Sequence, residues 1–202
     1  MSFKVGVIDI TLDLAPVTLI AVANKELPFL SCSAASSFEV VEGIDKALKE
    51  AEASVYCYLK NGSTRKILVP QEVQHTMDHG ALYECKTHIQ KAAFLFGSGN
   101  REVLLKDIER RQVVKNREAL YQSIKALGHS VVVINLTDQR SGLDDLPYKV
   151  VKVFVPGIVP MNFGYATESL GSERIRSLPV KCGILKRPTK VELLNRFPHP
   201  FT

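Results

Sequence analysis

YKVVKVFVPGIVPMNFG, residues 148–164, is the stretch from which the fold is first read. Val150, Val151, Val153, Phe154 and Val155 make a nearly continuous β-branched and aromatic run, the composition of a strand with both faces at least partly covered. Pro156 and Gly157 end it, because proline cannot donate to a ladder and glycine accepts the positive φ of a turn. Pro160 and Gly164 then punctuate an extended segment. The residues before the run read as layers to pack on it. Those after it read as a strapped-down tail ending Phe197-Pro198-His199-Pro200-Phe201-Thr202. On residue chemistry alone this is a buried strand leaving into a loop.

Working outward, 202 residues with 46% apolar and 23% charged content fit one domain, 1–202, with a substantial core. No apolar run has the length of a membrane span, and the first residues lack the basic-then-apolar pattern of a secretion signal, so a cytoplasmic protein with no membrane role is expected. Cys32, Cys57, Cys85 and Cys182 are scattered without a CxxC pair and read as reduced thiols. The net charge of +5 is concentrated late: after residue 161 there are seven Lys or Arg against three Glu. A basic tail over residues 170–202 could meet phosphates or an acidic peptide, or be a solvated surface. Nucleic acid is not expected, since no aromatics are interleaved with the charges.

In chain order, residues 3–10, 17–23 and 27–30 read as an opening β-meander. Ser36 and Glu39 have capping-box spacing before a helix running to about Lys60, with Asn61-Gly62 as its stop. Phe38, Val41, Ile44, Leu48, Ala51, Val55 and Tyr58 form its apolar stripe. Glu39, Lys46 and Glu50 lie opposite, and Glu42, Lys46 and Glu50 are spaced four apart: either a solvent-facing charge ladder or a functional face. Residues 64–69 suggest a short strand, and residues 71–96 a mostly helical segment with Leu82, Ile89, Ala93 and Phe96 inward. Helices are expected over 103–111 and 116–127, with Gly128 closing the second, then a strand over 130–136 and a polar loop containing residues 141–145. Residues 170–202, with four prolines, should be extended, with a short helix near 189–195. The order argues for an α+β mixed layered sheet with packed helices. His75, His79, Cys85 and His88 lack a zinc-type spacing, and no phosphate loop, dinucleotide fingerprint or nucleophile elbow is present.

Five segments, read together, resemble the C-terminal half of the YcaO-domain family. IDITLDLAPV (8–17) is similar to that family's D-L-T-x-D-L-x-x-P-V strand entry, and EGIDKALKE (42–50) to its E-A-L-x-R-A-L-x-E helix. DHGALY (78–83) is similar to D-H-x-x-x-Y. VINLT (133–137) followed by VVKVFVPGIVP (150–160) is similar to V-V-x-L-T and V-V-R-V-x-V-P-G-L-x-P, and NRFPHPFT (195–202) to the ending N-P-x-P-H-P-F-P. The resemblance implies an enzyme that uses ATP and Mg²⁺ to phosphorylate and so activate a peptide backbone amide. With a Cys, Ser or Thr side chain as nucleophile the product is an azoline ring (cyclodehydration). With a sulfur donor it is a thioamide.

Residue by residue, the resemblance implies Glu50 as a cofactor-binding carboxylate and Mg²⁺ ligand, and Lys46 as the cation that meets a phosphate. It implies Pro198, Pro200 and Thr202 as the catalytic tail, with the Thr202 carboxylate as a base. Some positions depart from the family pattern. Lys46 stands where an Arg is usual and cannot make a bidentate fork. Arg196 and Thr202 stand where azoline-forming members show proline, and Ala53 or Ser54 where Gln is common. The family's Glu-x-x-Glu helices, which supply most Mg²⁺–ATP ligands, lie upstream of anything in this sequence. The resemblance therefore implies a need for a separate N-terminal YcaO half or partner subunit, a peptide or protein substrate, and homo- or hetero-oligomerisation. The other reading is a non-catalytic YcaO-like subunit that binds a peptide or partner protein.

Overall fold

The computed structural model describes residues 2–24, 26–62, 67–97, 102–137 and 147–201. The expected strand start at 64–66, the loop residues 98–100 and 141–145, and Thr202 lie outside the described residues.

The fold is mixed α+β. The opening meander forms a three-stranded antiparallel sheet in the order β1 (Lys4–Asp9), β2 (Val17–Asn24), β3 (Phe29–Ser36). The pleat sorts its side chains to two faces. Ile20, Val22 and Phe29 face one layer, and Leu19, Ala21, Leu30 and Cys32 the other. Helix α1 (Val40–Asn61) covers the first face. It ends where the sequence places its stop: Gly62 sits at φ 73° and its N–H returns to the Tyr58 carbonyl at 2.9 Å. The start differs from expectation. Ser36 does not cap the helix; its hydroxyl donates to Pro16 O. Instead Ser37 donates to the Glu42 carboxylate and receives the Glu39 N–H.

The buried stripe of α1 is also rotated from the expected one. Val40, Gly43, Ala47, Ala51 and Tyr58 face the sheet, while Val41, Leu48 and Leu59 are exposed. Small residues let the helix approach closely enough for Ser33 Oγ to donate to Ala47 O at 2.7 Å. The bulkier residues are thereby displaced to one flank. That flank overlooks β1, where Ile44 shares a cleft with Val7, Asp9 and Thr18. Val5 and Val7 of β1 are 51% and 55% exposed beside it.

The opposite face is covered by short pieces rather than the expected long helix over 71–96. They are a 3₁₀ turn at Pro70–Glu72, α2 (Thr76–Leu82), α3 (Lys86–Ile89) and a second 3₁₀ segment, Gln90–Phe96. Leu82 and Ala92 point inward; Ala93 is exposed. Helices α4 (Leu105–Arg111) and α5 (Arg117–Ala126) come next, with Asn116 capping α5 through the Ala119 N–H at 2.8 Å.

Among the described residues, strands β4 (Val132–Asn135) and β5 (Val151–Phe154) pair only with each other, as an antiparallel ribbon. The stretch at 148–164 is therefore not a covered centre. Every residue of both strands is exposed, Val133 at 58% and Phe154 at 43%. The apolar composition suits burial on both faces, yet among the described residues neither face is covered. Gly157 closes the ribbon at φ 92°, where a Cβ would lie 2.3 Å from the His129 ring.

The region 170–202 also departs from expectation, since it holds a helix, α6 (Glu173–Lys181), with Pro179 in its last turns. Arg174 of α6 pairs with Asp13 at 2.6 Å. The two flank an open apolar cavity of about 520 Å³ whose walls include Leu12, Leu14, Ile158 and Leu178. Residues 191–193 form a 3₁₀ turn, and the remainder of the tail is extended.

Candidate functional site

The expected site residues fall on two features, the tail and the charged flank of α1. The tail is anchored along its whole last stretch. The Tyr83 hydroxyl, at the C-terminus of α2, donates to Pro198 O at 2.6 Å, and the Cys32 N–H donates to Pro200 O at 2.8 Å. Phe201 pairs with Cys32 as a parallel bridge, so the tail runs along the outer edge of β3. Two prolines fit here because the tail offers carbonyls to its anchors and their missing N–H groups are not needed. Phe197 packs edge-on against Tyr83, and Phe201 joins Leu19, Ala21 and Cys32.

Between the prolines, His199 stacks on His79 with ring centroids 4.2 Å apart. His79 is 1% exposed. Its Nε2 receives the Gly164 N–H at 2.9 Å, and its Nδ1 lies 2.8 Å from His199 O. Gly164 reaches this position at φ 107°. His199 Nε2 lies 3.0 Å from Asn162 O, and Phe163 packs edge-on to both rings. Burial holds His199 below the usual imidazole range; the nearby His79 adds to this, against opposing hydrogen bonds to backbone. Burial also pushes the Cys32 thiol up to about 12 and raises the Tyr83 phenol. These groups are neutral and structural. Both ring nitrogens of His79 are engaged, so it offers no lone pair to a metal in this arrangement.

The second feature is the flank of α1 away from β1. Lys46 Nζ pairs with Glu42 at 3.0 Å across exposed surface, and Glu42 is held below the usual carboxylate range, first by Ser37 and then by Lys46. Glu50 is exposed, with no side-chain partner among the described residues. A ladder joining all three charges is therefore not formed. The flank and the tail meet at one place in the sheet: Cys32 takes the tail on its outer edge, and the next residue, Ser33, holds α1 at Ala47, between Lys46 and Glu50.

A carboxylate oxygen of Glu50 suits Mg²⁺ by type, but this cation needs about six oxygens, part of them water or phosphate. Among the described residues no group of three or more His, Cys, Asp or Glu could hold a metal ion. Glu50 and Lys46 are of the types that meet Mg²⁺ and phosphate, but the described residues do not assemble a complete site around them. His79, Tyr83 and Cys32 carry no assigned role in the sequence reading. The D-H-x-x-x-Y segment was the signal for two of them, and nothing local marked Cys32 as the tail's partner.

The model of the family described as YcaO cyclodehydratase, ATP- and Mg²⁺-binding, matches residues 1–159. The chain belongs to the YcaO family. ATP and Mg²⁺ are thus the cofactors of its family. Two solved structures share the fold. One, described as a heterocyclase in complex with substrate and cofactor, has a TM-score of 0.72 at 19% identity over 98% of this chain and 25% of its own. The other, the heterocyclase TruD, has a TM-score of 0.63 at 21% identity over 98% of this chain and 25% of its own. This chain thus spans a quarter of the length of the structures it matches. A comparison with curated protein sequences finds no significant match. No described helix is long and apolar enough to cross a membrane.

Proposed function

We propose that this chain is the C-terminal half of a YcaO fold and acts in the cytoplasm as one part of an ATP-dependent amide-activating enzyme, forming an azoline or a thioamide in a peptide. The complementary N-terminal half carries the Glu-x-x-Glu helices. The observation that carries this reading is the uncovered apolar surface. The β4–β5 ribbon is open on both faces, and Val5 and Val7 lie open beside the apolar flank of α1. Exposed strands and patches of this kind seek partners.

In the assembled site Glu50 would offer one carboxylate oxygen to Mg²⁺, and Lys46 would meet a phosphate on leaving Glu42. ATP, when bound there, would supply the phosphoryl group that turns the amide oxygen into a good leaving group. The strap, stiffened by Pro198 and Pro200, is held along the edge of β3, and with Thr202 it has a role in positioning the attacking nucleophile. The second reading, a non-catalytic subunit binding a peptide or partner protein, is favoured by the commitment of Lys46 to Glu42.

The test combines the purified chain with a YcaO segment bearing the Glu-x-x-Glu helices, Mg²⁺–ATP and a peptide rich in Cys, Ser and Thr, with and without sulfide as a sulfur donor. Peptide-dependent release of ADP, with loss of one water from the peptide or exchange of an amide oxygen for sulfur, is expected. The chain alone should bind Mg²⁺–ATP more weakly than micromolar in calorimetry. Complex formation without peptide-dependent turnover establishes the non-catalytic reading, and absence of a complex overturns both.

A further inference from the structure

We propose that His79 and His199 form a neutral, stacked latch that holds the strap on the edge of β3, and that uptake of a proton by His199 frees the strap while the sheet stays folded. The hydrogen bonds assign the protonation state. A backbone N–H can only donate, so His79 Nε2, which receives Gly164 N–H, carries no proton. His79 Nδ1 must then be the N–H that donates to His199 O. By the same logic Phe201 N–H, 3.4 Å from His199 Nδ1, leaves Nε2–H of His199 to donate to Asn162 O. Each ring is locked in one neutral tautomer, and the two tautomers are opposite. A proton added to His79 puts an N–H against the N–H of Gly164. A proton added to His199 does the same toward Phe201, and either places a cation face to face with a ring 4.2 Å away.

The latch joins three parts of the chain that otherwise lack a common element: α2, the segment 162–164, and the strap. The charged or titratable groups around it do not provide a ready counter-ion. Asp78 precedes His79, but its carboxylate accepts the N–H groups of Gln74 and His75 at 2.9 and 2.8 Å. Tyr83 is spent on Pro198 O, His88 Nδ1 lies against Leu82 O, and Cys32 on β3 is a buried neutral thiol. Cys85 and Lys86 open α3, and Tyr165 and Arg196 flank the other two segments. Phe163 and Phe201 supply the remaining walls.

The sign comes from burial. His199 lies below its ordinary value of 6.5, so the detached strap binds a proton more readily than the held one. The held state is favoured fully above that value and loses ground as pH falls below it. Each proton taken up on release makes opening about tenfold more frequent per pH unit.

The test is amide hydrogen exchange on the full chain between pH 8 and 5, expressed as protection relative to an unstructured peptide at the same pH. Protection of Cys32 and Gly164 should fall about tenfold per pH unit in the acid limb while the amides of β2 keep theirs. The ¹⁵N spectra of the rings at pH 8 should show Nδ1–H for His79 and Nε2–H for His199. His199→Gln should flatten the acid limb, and His79→Gln, which removes the ring it stacks on, should lower protection at both amides at every pH. Constant protection at Cys32 and Gly164, loss in step with β2, or the other tautomers overturn the proposal. If either variant misfolds, the wild-type titration and ring spectra still decide. The latch rests on the proposed function only in what the strap's end is for. None of these measurements needs ATP or peptide, so an inactive assembly with an intact latch counts against the function alone.

Discussion

Tyr83→Phe removes one oxygen from the wall that holds the strap. The residue is 2% exposed, and its hydroxyl donates at 2.6 Å to Pro198 O. The ring's edge-on contact with Phe197, centroids 5.8 Å apart, survives the change, as does the apolar burial of the side chain. What is lost is the hydrogen bond, with a carbonyl left unsatisfied in an apolar setting, a cost of about 1–3 kcal/mol. Because the strap is the last layer on its edge of the sheet, this loss should appear first as local opening. One to three kcal/mol multiplies the opening constant roughly 5- to 150-fold. Exchange at the Cys32 amide, which donates to Pro200 O, reads that opening directly. Urea unfolding at pH 8 reads any part shared with the global transition, expected to be smaller than the local effect. Cys32 exchange within twofold of wild type, together with an unchanged urea midpoint, refutes the claim that Tyr83 secures the strap.

Three further outcomes are expected. Glu50→Gln should leave the melting temperature unchanged and abolish peptide-dependent ADP release in the assembled enzyme; normal turnover removes Glu50 from the site. One Gly appended after Thr202 should lower turnover without moving the melting temperature, whereas His199→Ala should lower the melting temperature by emptying the stack on His79; turnover unaffected by the added Gly makes the tail a strap only. Above pH 9, the ordinary thiol value, unfolded Cys32 ionises while the folded thiol, pushed up to about 12, does not, so stability should fall by up to about 1.4 kcal/mol per pH unit. Cys32→Ala should remove that part of the slope, and an identical alkaline profile for the variant contradicts the assignment.

The meander and α1 were legible because alternation and a glycine stop are local signals. The position of the core was not. Residues 150–155 have the composition of a doubly covered strand, but composition reports the surroundings a strand suits, not where its cover comes from. The stripe of α1 was misread because hydrophobicity weights Val41 and Leu48 above Gly43 and Ala47, whereas close approach to a sheet selects small residues. The segment 71–96 breaks because Asp78 and Cys85 begin new short helices after extended residues, a choice stabilised by contacts to β3 and the strap. Helix α6 was hidden by Pro179, which stands inside it and reads in sequence as a helix breaker. At the candidate site, the resemblance pointed to Glu50, Lys46, Pro198 and Pro200, which the fold puts on α1 and on the strap. It did not show that His79 and Cys32, far away in sequence, are what fixes the tail.

The pairing of Phe201 with Cys32 also orders events in time. Strand β3 leaves the ribosome well before the segment that lies along its outer edge. Until that segment arrives, the edge presents unpaired N–H and C=O groups beside a sheet that can otherwise already form. Closing it joins residues 32 and 201, a contact of long sequence separation and so of the slow class. The nascent protein therefore passes through a stage in which a folded sheet carries an open, sticky border. Chaperones have their greatest leverage at that stage.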